Sequence, residues 1–227
     1  MRKFVSVFFF LMFLASFTAS VWATPFQNGD FETFETGYFT GWSGYLTDNY
    51  LNNSYVDPDQ SSLFTIVSNA GPSNSYVAQI SNDDTYWLTT LYQDFTLDTL
   101  TPGWTMDITF WVKWSPTDEN SDGISITISD LGYTDSVDLL SGITTSALTG
   151  GTWVTQDITS FAQTWGGYEV ELAFSIWDLD FDTSDFLMID NISFNQHAPA
   201  NPVPEPATVL LLGSGLVGLV LSRRKRD

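Results

Sequence analysis

The chain has 227 residues, no cysteine, 7 Lys and Arg, 27 Asp and Glu, and a formal net charge of −20. Disulfide, zinc–thiolate and thiol chemistry are therefore closed to it. An acidic surface also cannot displace the counterions of nucleic acid, so no nucleic-acid partner is expected. Charge is segregated along the chain. Arg2 and Lys3 lie at the start and Arg223, Arg224, Lys225 and Arg226 at the end, which leaves Lys113 as the only Lys or Arg between them. All acids except Glu205 and Asp227 fall in the middle. Such a middle attracts hard cations, Ca²⁺ above all. Acidity also keeps an exported domain soluble. The abundance of Trp, Tyr, Phe, Ile and Leu argues for a packed core rather than disorder.

In chain order, Met1-Arg2-Lys3, an apolar run from Phe4 to Phe17, and Val21-Trp22-Ala23 have the n, h and c regions of a secretory signal. Residues 1–23 are expected to be removed after Ala23, leaving a domain at 24–196. Its segments alternate with period two, as half-buried strands do. Met106, Ile108, Phe110, Val112 and Trp114 share one face, and Thr105, Asp107, Thr109, Trp111 and Lys113 the other. Ile124, Ile126 and Ile128 form a second apolar row, and Tyr168, Val170, Leu172, Phe174 and Ile176 a third. Residues 76–81, 88–97 and 186–194 also read as strands. Asn82-Asp83-Asp84, Pro102-Gly103, Asp118 to Gly123, Gly150-Gly151 and Gly166-Gly167 are turn signals. Only Ile158 to Trp165 is open to a short helix. The expected fold is all-β, an antiparallel β-sandwich of eight to ten strands.

His197 to Pro202 reads as a Pro-rich extended linker, in which His197, the only histidine, is given no role. Then come Val203-Pro204-Glu205-Pro206, an uncharged run at 207–221, and the basic cluster Arg223, Arg224, Lys225 and Arg226. As a helix, 207–221 rises ~22 Å against a hydrocarbon core of ~30 Å, a short transmembrane span. The basic cluster is expected to stay cytoplasmic, which puts the acidic domain outside. Residues 203–227 resemble the PEP-CTERM sorting tail. That resemblance implies a membrane exosortase as partner, export, at least transient anchoring, and placement at the cell surface or in a matrix of extracellular polysaccharide.

A second resemblance rests on Asn28-Gly29-Asp30-Phe31-Glu32 followed by Gly41-Trp42, on Thr90 to Leu97 with Gly103 to Trp114, and on Phe186 to Phe194 containing Ile189-Asp190-Asn191-Ile192. Together these are similar to galactose-binding-like jelly rolls, the fold of many carbohydrate-binding modules. The resemblance implies a structural Ca²⁺ that joins the first strand to the last, with Glu32 and Asp190 as ligands. Two further acidic runs, Asp178 to Asp185 and Asp118 to Gly123, also attract a cation on paper. The first fails the EF-hand pattern, because positions six and twelve hold Thr183 and Ile189.

A Ser-His-Asp triad is not expected with a single histidine in a linker, and neither a phosphate loop nor a histidine metal set is present. The chain is read as a non-enzyme that binds carbohydrate weakly. The alternative is a purely structural or adhesive matrix protein. A glycoside hydrolase is the minor one, since any chain with this many carboxylates holds some pair at a workable spacing. The stacking candidates are Trp87, Trp111 and Trp177, each placed beside polar residues.

Overall fold

The computed structural model describes residues 24–33, 37–48, 50–72, 75–83, 85–116, 122–178 and 185–199. The expected signal, residues 1–23, and the sorting tail, residues 203–227, lie outside them. Among the described residues, no helix is long and apolar enough to cross a membrane.

Among the described residues, eleven strands form two antiparallel sheets: β1 (Ser43–Asp48), β2 (Asn53–Val56), β3 (Phe64–Ser68), β4 (Tyr76–Ser81), β5 (Tyr86–Thr96), β6 (Thr105–Ser115), β7 (Asp122–Asp130), β8 (Ser136–Asp138), β9 (Thr152–Asp157), β10 (Glu169–Asp178) and β11 (Phe186–His197). The six-stranded sheet has the order β2-β1-β5-β10-β7-β8, and the five-stranded sheet β3-β4-β11-β6-β9. From β4 onward the chain crosses repeatedly between the sheets. This crossing makes a jelly-roll-like sandwich rather than two meanders. The single α-helix among the described residues, α1 (Thr159–Trp165), bridges β9 and β10.

The period-two rows dictate the packing. Ile108, Phe110, Val112 and Trp114 of β6 face Ile124, Ile126 and Ile128 of β7 and Leu172, Phe174 and Ile176 of β10 in one continuous core. Burying each such side chain is worth ~1.5–3 kcal/mol. The N-terminal segment seals one edge of this core. Its Phe26 meets Trp42, Phe95 and Phe194 edge-on, with ring centroids 5.9, 5.1 and 5.2 Å away. Backbone bonds tie the same segment to both sheets: Thr96 N–H donates to Thr24 O at 2.7 Å, and Ile192 N–H to Gly29 O at 2.9 Å. Gly29 has to be small, since a Cβ there would lie 2.6 Å from the Ile192 carbonyl oxygen.

The structure departs from expectation at three places. Five strands that the alternation did not flag, β1, β2, β3, β8 and β9, complete the sheets. β11 runs on through His197, which pairs with Thr105 and sets its Nε2 2.5 Å from Asp107 Oδ2. The linker therefore starts after His197, and the histidine has an acidic partner. Tyr168, expected in a buried row, is exposed and lies just before β10.

Candidate functional site

The outer face of the six-stranded sheet carries a recess, because side-chain size varies across its strands. Cross-strand pairing lines residues up in rows. One row runs Tyr55–Tyr45–Thr90–Ser175–Ser125, and the next Ser43–Tyr92–Ala173–Thr127–Asp138. A third contains Asp94 opposite Glu171 and Glu171 opposite Ser129. Small residues in the central strands (Thr90, Ala173, Ser175, Thr127) make a floor. Large ones rise at both sides: Tyr45 and Tyr55 from β1 and β2, and Leu131 and Tyr133 from the β7–β8 turn. The result is a groove of about 630 Å³ across the strands.

Its walls carry exposed rings. Tyr55 is 76% and Tyr133 69% exposed. Tyr45 and Tyr55 meet edge-on at 5.3 Å between centroids, which holds both rings upright. Tyr133 has a positive φ of 52° and ends its turn with its hydroxyl donating to Glu171 Oε2 at 2.9 Å. On the floor, Thr90 Oγ1 and Ser175 Oγ lie 2.8 Å apart.

The groove's acids are held more protonated than usual. Enclosure raises Glu171, Asp94 adds to this by repulsion, and the Tyr133 hydrogen bond opposes it. Enclosure and then Glu169 raise Asp94. Tyr92 and Tyr133 are raised too, mainly by loss of solvent; the Ser43 hydrogen bond opposes this at Tyr92, the Glu171 hydrogen bond adds to it at Tyr133, and nearby acids add at both. The groove thus lines up carboxyl and phenol groups, both able to hydrogen-bond, between its rings.

The expected tryptophans stand elsewhere. Trp111 does lie on the outer face of the five-stranded sheet, but it is only 7% exposed. It packs with Val77 and Met188, and Gly151 covers it so closely that a Cβ there would sit 2.4 Å from its ring. Trp111 is thus corrected from stacking candidate to packed side chain. Trp177 is on the same face as the groove, beyond Ser175, but its ring lies against Gly123, where a Cβ would come within 2.2 Å. It is half-buried and forms no part of the groove lining. Trp87 occupies the irregularity where β1–β5 pairing skips from Leu88 to Tyr86. It too is half-buried and outside the groove. Alternation does not single out Tyr45 and Tyr55, because their strands β1 and β2 alternate weakly. The usable signal was the positional one, a Tyr on each of two adjacent short segments.

Glu32 and Asp190 do converge, on the start of β4. Glu32 Oε1 accepts from Tyr76 N–H at 2.8 Å, and Asp190 Oδ2 accepts from Ser75 Oγ at 2.5 Å. Asp190 is fully buried at the bulge of β11, where Asn191 takes a φ of 54°. Its Oδ1 accepts from Asn191 N–H at 2.7 Å. Burial, with Glu32 and Asp30 adding repulsion and hydrogen bonds from Ser75 and Asn191 opposing, pushes the Asp190 carboxyl up to about 6. The donor set is all oxygen and negatively charged, as a hard cation requires.

Residues 202–225 match the PEP-CTERM protein-sorting motif. The chain is therefore a β-sandwich domain carried on a PEP-CTERM sorting tail. That motif implies export and membrane-anchored sorting. No curated protein matches the chain. Among solved structures, it is similar to the enzymatically active domain of tailspike protein 4 of bacteriophage CBA120 (16% identity, TM-score 0.46, 77% of this chain and 22% of that one). It is also similar to the Stig cyclase Fisc from Fischerella sp. TAU (14%, 0.47, 78% and 98%) and to a family 16 carbohydrate-binding module (16%, 0.38, 61% and 89%). The chain spans about a fifth of the tailspike's length.

Proposed function

We propose that the exported domain is a non-enzymatic module that binds neutral polysaccharide in the groove of the six-stranded sheet. The observation that carries this is the pairing of exposed Tyr rings on both walls with acceptor groups between them. Ring faces suit the C–H faces of pyranoses. Glu171, Asp94, Thr90 and Ser175 supply partners for hydroxyls. The same acids disfavour uronates, sulfates and phosphates, because like charges brought together in a recess repel.

A second reading, glycoside hydrolysis, draws on the raised Asp94 and Glu171. Those two stand next to each other in a single cross-strand row, whereas glycosidases place their carboxylates on either side of the scissile bond. Binding without turnover is the better fit.

We also propose that Glu32 and Asp190 hold a Ca²⁺ where the first and last segments of the domain meet, and that an exosortase processes the tail near Pro204-Glu205-Pro206. Bound Ca²⁺ would neutralise the Asp30, Glu32 and Asp190 cluster. Its contribution would be to fix the N-terminal segment against β4 and β11, away from the groove.

Affinity electrophoresis through neutral glucans, xylan and polyuronates tests the groove. Retardation by a neutral polymer, lost in Tyr45→Ala together with Tyr55→Ala, is the expected result. Retardation only by the polyuronates contradicts the account. Release of reducing ends favours the hydrolase.

A further inference from the structure

At the end of the sandwich away from His197, three acids from distant parts of the chain meet between the sheets. Asp122 opens β7, Asp178 closes β10 opposite it, and Asp185 immediately precedes β11. Each offers a carboxylate oxygen, and the three oxygens lie within 4.8 Å of one another. Asp122 continues the inward row of Ile124 and Ile126, and Asp178 that of Phe174 and Ile176. Asp185 continues the inward row of Leu187 and Ile189 from the opposite sheet. Asp178 is fully buried and Asp185 is 1% exposed.

Backbone register puts a fourth buried side chain on the same inward side. Asn82 follows β4 and continues the inward row of Ala78 and Ile80. The Phe186–Ser81 pair sets Asn82 opposite Asp185 at the next step. It is 3% exposed, yet neither its Oδ1 nor its Nδ2 has a hydrogen-bond partner. A buried amide left unsatisfied costs ~1–3 kcal/mol, a cost that a cation taken by its carbonyl oxygen would offset. The only Lys or Arg between residues 24 and 199 is Lys113. It stands on the outer face of the five-stranded sheet, with its ammonium 5.9 Å from the Phe186 ring centroid.

We propose that Asp122, Asp178, Asp185 and the Asn82 carbonyl oxygen form a second Ca²⁺ site, separate from Glu32 and Asp190, that pins the two sheets together. Oxygens around one Ca²⁺ at 2.3–2.6 Å stand at most ~5 Å apart, and the observed spread fits that sphere. All four donors are hard oxygens. An ion here gathers β7 and β10 from one sheet and β4 and β11 from the other. Neither acidic run supplies all three carboxylates, since Asp178 and Asp185 come from one and Asp122 from the other.

The test is calorimetric titration of the full chain in detergent with Ca²⁺ after chelator treatment, with Mg²⁺ in parallel. Asp178→Asn with Asp185→Asn is expected to lose one equivalent of Ca²⁺, and to lose it equally when Glu32→Gln and Asp190→Asn are also present. Asn82→Ala should weaken the same equivalent about tenfold. Should the double Asp variant not fold, Asp122→Asn at the half-buried rim is read by Tb³⁺ luminescence excited through tryptophan, with about tenfold weaker Tb³⁺ binding expected. Unchanged Ca²⁺ stoichiometry in Asp178→Asn/Asp185→Asn, or unchanged Tb³⁺ affinity in Asp122→Asn, overturns the site. Mg²⁺ bound as tightly as Ca²⁺ overturns the choice of ion.

Discussion

Tyr133 donates its hydroxyl to Glu171 across the rim of the groove, at 2.9 Å. The bond joins the β7–β8 turn to the central strand β10, so one wall of the groove is fixed to its floor. It also lowers the carboxyl of Glu171 against the upward push of enclosure and of Asp94.

Tyr133→Phe removes the donor and keeps the ring. The Glu171 carboxyl should then titrate at higher pH than in the parent, as read from its side-chain ¹³C shift. An unchanged or lower titration point would show that the hydrogen bond is not made in solution.

Stability should fall as pH rises from about 4 to about 6 in the presence of chelator. Asp190 is held up to about 6 by burial, so the folded state binds more protons than the unfolded chain throughout that window, and each pH step upward favours unfolding. Glu171 and Asp94 are raised as well and act in the same direction. Asp48 and Asp157 are lowered, and their contribution is lost only below about pH 4. Thermal melts at pH 4.5 and 6.5 measure the trend. Saturating Ca²⁺ should flatten it if the ion sits at Glu32 and Asp190.

Trp114 is 1% exposed at the centre of the core. Trp114→Ala should cost ~3–5 kcal/mol in denaturant unfolding. Tyr168, 63% exposed, should cost less than ~0.5 kcal/mol when cut to Ala. Similar losses at both would mean that the two sheets are not packed as described.

Gly151→Ala tests the placement of Trp111. The glycine has a φ of +78°, and its Cβ would land 2.4 Å from the Trp111 ring. Strain and overpacking together should cost ~1–3 kcal/mol. Glycan retention should be unchanged, because Trp111 is on the sheet opposite the groove.

The sequence displayed the sandwich where alternation was complete. The rows at 106–114, 124–128 and 170–176 are uninterrupted because both neighbours of each strand bury the same face. β1 and β2 were invisible: Gly44 interrupts β1, and β2 is a four-residue edge strand that is almost wholly exposed. Tyr45 and Tyr55, which make one wall of the groove, stand on these strands, so alternation does not reveal that wall. Trp111 illustrates the reason, since a polar-face position reveals alternation but not the loop that folds over it. Glu32 and Asp190 were legible through a motif at each end of the domain. Asp122, Asp178 and Asp185 were legible only as parts of two separate acidic runs; their meeting was not, because a linear ligand spacing cannot describe oxygens drawn together from three points of the chain.

The most direct test of the groove is to observe its rings while a sugar binds. Tyrosines labelled with ¹³C are followed by NMR during titration with a neutral oligosaccharide that retards the protein in affinity gels. Shifts concentrated at Tyr45, Tyr55, Tyr92 and Tyr133, with Tyr38, Tyr76 and Tyr168 unmoved, are the predicted result. Shifts confined to the latter three, or absent from all seven, would contradict binding on the six-stranded sheet.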